Sequence, residues 1–134
     1  MNLFLNPLAI LAAAVASFVI GFLWHGPLFG KVWLRLSGIT EQQAKEGATG
    51  MTWRMIVALL QQLVMAFVLA LFSFGVSTAF DAVQLAFWIW LGFIVTTLLN
   101  GVLWEKRTVK LYLFNIVYHL VSLCVMALIL GLWK

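Results

Sequence analysis

Four long apolar runs, separated by three polar breaks, fill nearly the whole chain. A helix that crosses hydrocarbon needs about 20 residues at about 1.5 Å of rise each. Runs of that length cover residues 5–24, 53–76, 82–104 and 109–133. The pattern predicts an all-α fold, a polytopic membrane protein with four transmembrane helices in one domain over residues 1–134. Asn6-Pro7 suits the start of the first helix, because Asn caps free amides and Pro needs no amide partner there. Asp81 is the expected cap of the third. Trp24, Trp53, Trp104 and Trp133 sit at span ends, where an amphipathic indole prefers the lipid–water boundary.

The second and third breaks are short, so the helices they join are expected to be antiparallel neighbours. At the first break, His25-Gly26-Pro27 predicts a helix stop and a bend. The segment 28–47 then reads as a short amphipathic helix on the cytoplasmic surface. Leu28, Phe29, Val32, Trp33 and Leu36 recur at helical spacing, and Lys31 and Arg35 point elsewhere, towards anionic headgroups. Thr40 and Gln43 have capping-box spacing for a further helical turn closed by Gly47.

Charge changes the picture in one respect. Lys31, Arg35, Lys45 and Arg54 flank the first break, and Lys106, Arg107 and Lys110 the third. The second break has only Asp81, and the chain ends on Lys134. The positive-inside bias thus predicts a multi-pass protein of the cell (inner) membrane with both termini on the non-cytoplasmic side. Ala14-Val15-Ala16 has the small-x-small form of a signal cleavage site, but no Lys or Arg precedes it and the apolar run continues to Leu23. The segment is expected to be retained as a span.

Hydrophobic residues make up 65% of the chain and charged ones 9%, more apolar surface than one small water-soluble core can hide. The expected partner is the lipid bilayer. The net charge of +4 flanks spans and forms no stripe, so topology explains it without nucleic acid. Cys124 lies in an apolar run and reads as a small hydrophobe.

Gly21-Phe22-Leu23-Trp24 echoes Gly101-Val102-Leu103-Trp104, each followed by basic and aromatic residues. This is the form of a duplicated helical hairpin, or of shared interface composition. The stretch from Gly21 through His25-Gly26-Pro27 to Trp33, with Asn115 to Leu123, resembles a family of small bacterial membrane proteins catalogued as domain of unknown function 1761. The resemblance spans the chain in length and span order. It implies a membrane location and this fold, and no activity. The family pattern favours Tyr at the place of His25, so the resemblance assigns that histidine no obligatory chemistry.

Polar groups inside spans need partners, because hydrocarbon offers none. Asn115, His119, Ser122 and Met126 share one face of the fourth span, bordered by Tyr112 and Tyr118. Thr97, Asn100 and Trp104 share a face of the third, with Thr96 beside it; the second carries Gln61 and Gln62. Together His119, Asn115, Ser122, Asn100, Gln61 and Gln62 form a candidate intramembrane polar site, read as a relay or passage or as interhelical hydrogen bonding. His25, Arg54 and Glu105 form a candidate cluster at the cytoplasmic end. Ala9, Ala13, Ser17 and Gly21 make a row of small residues that lets another helix approach, within the bundle or from a second subunit.

The sequence has no phosphate-cradling glycine loop and no nucleophile–base spacing, so it does not point to an enzyme and no catalytic residue is named. Its two histidines and one cysteine make no metal set, span arithmetic puts His25 and His119 about half a bilayer apart, and no cofactor is indicated. Three readings stay open. The first is a self-associating structural or accessory subunit, a homo-oligomer or part of a larger membrane complex. The second is a small proton-coupled transporter or channel around His119. The third is intramembrane binding of a hydrophobic ligand or cofactor near Trp88, Trp90, Phe93 and Tyr118.

Overall fold

The computed structural model describes residues 5–47 and 50–133, and every regular element among them is helical. Lys134 lies outside the described residues. The order is α1 (Pro7–Leu23), α2 (Gly30–Ser37), α3 (Glu41–Glu46), α4 (Met51–Phe72), α5 (Ala79–Ile89), α6 (Thr96–Trp104) and α7 (Val109–Leu132). Wide π turns, Trp24–Leu28 and Trp90–Val95, extend α1 and join α5 to α6. The four spanning units are Pro7–Leu28, Met51–Phe72, Ala79–Trp104 and Val109–Leu132, each long and apolar enough to cross a membrane.

Side-chain caps set most of the helix starts. Asn6 Oδ1 accepts from the amides of Leu8 and Ala9 at 3.1 and 3.2 Å. Thr40 and Gln43 close a reciprocal capping box over α3. Thr108 caps α7. The third span is capped by Thr78, whose hydroxyl accepts from the Asp81 amide at 3.1 Å. Asp81 is thus in the first turn, where its carboxylate faces the positive end of the helix dipole, and is not the cap itself.

The first span departs from its predicted end. It does not stop at His25-Gly26-Pro27 but continues as a π turn to Leu28. Pro27 has no amide for the carbonyl four residues back, and a π turn bridges that gap with bonds one residue longer, such as Phe29 N–H to Trp24 O at 3.2 Å. The bend comes at Phe29, after which α2 packs on the π turn and on α7. Gly38, at φ 71°, ends α2.

α7 is the central helix, in contact with α1, α4, α5 and α6, and α1 also packs along α4. The core is built of small side chains. Ala9, Ala13, Ala14, Ala66, Ala82, Ala86 and Ala127 are fully buried around Met126. Such surfaces bring helix backbones close, the usual means of packing where lipid offers no hydrophobic drive. Many large side chains point outward instead. Leu8, Val64, Phe93 and Leu132 are 63%, 62%, 69% and 72% exposed, as lipid-facing residues must be. At the end of the bundle that holds the termini, Asn6 Nδ2 donates to Trp133 O at 3.3 Å. The opposite end carries the basic connections.

Candidate functional site

Three helices meet through one polar cluster. Ser17 of α1 donates to Gln62 Oε1 of α4 at 2.5 Å, and its oxygen lies against the Ser122 hydroxyl of α7. All three residues are buried. Ala9, Ala13 and Ser17 are fully buried, and Gly21, one turn on, lies under the Tyr118 ring: a Cβ there would come within 2.6 Å of the phenol oxygen. The small-residue row thus faces α4 and α7 within this chain.

Towards the basic end the cluster gives way to rings. His25 Nδ1 contacts Gly21 O at 2.9 Å. A carbonyl only accepts, so Nδ1 carries the hydrogen and Nε2 is the free nitrogen. The imidazole meets Trp33, Phe114 and Tyr118 edge-on at 5.5, 5.9 and 4.9 Å. His119, half-buried, packs against the same Tyr118 at 4.9 Å. Both imidazoles therefore contact one phenol, nearer to each other than span arithmetic suggests. Trp24 is drawn in as well. It packs on Phe29, Phe114 and Tyr118, and its Nε1 is the one buried side-chain nitrogen or oxygen without a partner among the described residues.

Two adjoining cavities share His25, Gly26, Trp33 and Met51. The outer one, about 780 Å³, lies under α2 and α3 and is lined also by Lys31, Gln43 and Arg54. Arg54 Nη1 donates to Gly47 O at 2.8 Å, which steadies the guanidinium at the mouth. The inner cavity, about 400 Å³, runs between α1 and α4 from Phe22 and Met55 past Ala58 to Phe18, Gln61 and Gln62, with Tyr118 in its lining. Phe22 is 54% exposed and Gln61 is exposed on the outer surface, so the rim reaches the lipid-facing side. One face of α4 supplies a whole wall. Arg54, Ala58 and Gln61 follow at i, i+4 and i+7, with Met51 and Met55 beside them.

The predicted polar site is divided between places. Ser122 and Gln62 share the buried cluster, Gln61 lines the inner cavity, and His119 lies behind Tyr118. Asn115 faces α6, in a small recess with Leu98, Val102 and Tyr112. Asn100, Thr96 and Thr97 are exposed on the outer surface of α6. Of the trio predicted for one end of the bundle, His25 and Arg54 line the outer cavity, whereas Glu105 pairs with Arg107 at 3.4 Å, both well exposed. Of Trp88, Trp90, Phe93 and Tyr118, Tyr118 lines the inner cavity. Trp88 and Phe93 point outward, and Trp90 Nε1 donates to Ile116 O at 2.7 Å. The sequence reading passed over the cleft-lining Phe18, Met55 and Ala58, although their helical spacing with His25 and Gln61 is visible in the chain. No group of three or more His, Cys, Asp or Glu could hold a metal among the described residues.

Fold and site together define a polytopic, four-span α-helical membrane protein with an internal cleft at its basic end. A family model described as "Protein of unknown function (DUF1761)" matches residues 8–131, nearly the whole chain, and the chain belongs to that family. Neither a curated protein nor a solved structure matches it.

Proposed function

We propose that this protein binds an amphiphilic ligand drawn from the bilayer into the cleft that meets at His25. The supporting observation is the cleft's polarity profile: cationic Lys31 and Arg54 at the mouth, apolar Phe22, Met55 and Ala58 between, and amides beside Phe18 at the inner end. Ligand sites in helical bundles are commonly of this kind, mostly apolar with a few placed polar groups. The orientation that goes with it puts the basic connections in the cytoplasm and both termini outside.

The test is organic extraction and mass spectrometry of protein purified in mild detergent, alongside Ala58→Trp, which fills the inner cavity. An amphiphile near one per chain, lost in the variant, is the expected result. Protein that carries no amphiphile, and whose tryptophan fluorescence no amphiphile perturbs, overturns the reading.

Self-association has an observation of its own. Thr97 and Asn100 are exposed on a spanning helix, where polar groups gain from a partner helix. Asn100→Leu is then expected to lower the mass of the detergent-solubilised particle, and an unchanged monomeric mass in both proteins counts against assembly. Transport has less support, because the polar cluster of Ser17, Gln62 and Ser122 runs into the fully buried Ala13, Ala14 and Met126.

A further inference from the structure

An ordinary acyl chain does not match the inner end of this cleft. Gln62 commits its oxygen to Ser17, which leaves the NH₂ as its free donor. Gln61, near the middle of a spanning helix, makes no hydrogen bond with any described residue. Methylene groups against these amides would leave both unsatisfied, and hydrocarbon supplies no water to compensate. At the mouth, Arg54 and Lys31 call for an anion. Arg54 and Gln61 lie on the same face of α4, seven residues apart, which is about 10 Å along the axis.

From this spacing we infer that the ligand is a single-chain amphiphile with an anionic headgroup and a hydroxyl or keto oxygen roughly 10 Å further along its chain. The headgroup sits at Lys31 and Arg54. The chain passes Met51, Met55 and Ala58, where the small Ala58 leaves room, and the oxygen is held by the amides of Gln61 and Gln62. The remainder of the chain continues past Phe18 towards lipid. This inference rests on the amphiphile-binding reading and adds the positions of the ligand's two polar groups.

Three probes separate the two ideas: stearate, a stearate hydroxylated at mid-chain, and the methyl ester of the hydroxylated acid. Each is titrated into the full-length protein in phosphatidylcholine nanodiscs and followed by tryptophan fluorescence. The hydroxylated acid is expected to bind about tenfold more tightly than stearate, one hydrogen bond's worth. Gln61→Leu should erase that preference, bringing the two acids to equal affinity. Arg54→Gln should weaken both acids more than it weakens the ester. Equal affinity of the two acids for the unmodified protein overturns the inference while the binding reading stands. A tenfold preference that survives Gln61→Leu overturns it too, and so does a diacyl phospholipid as the only species displaced. If none of the three probes binds, the reading falls as well.

Discussion

Gly21 and Gly131 both sit where a neighbour comes too close for a side chain, but the neighbours differ. A Cβ at Gly131 would meet the Ala79 backbone at 2.8 Å, which can yield only if α5 moves off α7. Gly131→Ala is therefore expected to cost about 1–3 kcal/mol, read as a lower thermal midpoint in detergent. At Gly21 the obstacle is the tip of Tyr118, which can swing, and alanine's better helix propensity offsets part of the strain. Gly21→Ala should disturb ligand binding in the cleft more than stability. The Ser17 cluster behaves differently again. Ser17→Ala removes the hydroxyl that donates to Gln62, so a double-mutant cycle between Ser17→Ala and Gln62→Leu should return a coupling of about 0.6–2 kcal/mol. At Lys106, φ is 59°, the left-handed region that favours glycine, and Lys106→Gly is expected to stabilise the turn by about 0.5–1 kcal/mol.

The two π turns are what distinguish these helices from plain spans. One carries the first span across Pro27; the other joins α5 to α6 at Trp90–Val95. α7 ties down the second from both ends, through the Trp90 indole on Ile116 O and the Tyr112 hydroxyl on Val95 O at 2.8 Å. Tyr112→Phe should cost about 1 kcal/mol and speed amide hydrogen exchange in that turn, with α4 unaffected. Unchanged exchange would mean the tie does not hold the turn. Neither π turn was legible in the chain, since hydrophobic periodicity at this length does not separate a wide turn from an α-helical one. Pro27 did signal a local departure; that it widens the helix and does not end it depends on the packing of Trp24 and His25 against Phe114 and Tyr118.

Across the bundle, the first and third spans run the same way, so both basic connections lie at one end. In a Cys124→Ala background, single cysteines at Lys31 and Lys106 should both react with a membrane-impermeant maleimide only when the cytoplasmic face is accessible. Labelling from opposite faces would break the four-span arrangement. Labelling of both from outside would reverse the proposed orientation and leave the fold untouched. The cleft is a property of this whole arrangement. α1 and α4 supply its walls, α2 and α3 its roof, and α7 its floor through Tyr118.

The number of spans, their approximate ends and the lipid surroundings follow from composition and run length alone, because transfer of apolar helices into hydrocarbon is a local, nearly additive free energy. The capping box at Thr40 and the small-residue row on α1 could be read in the same way, since each is set by spacing within one helix. Which polar groups meet is a different matter. His119, Asn115 and Ser122 share a face in the chain, yet they turn to Tyr118, α6 and Ser17 respectively. Helix rotation and neighbour choice rest on close packing between surfaces far apart in sequence, and no periodicity encodes that.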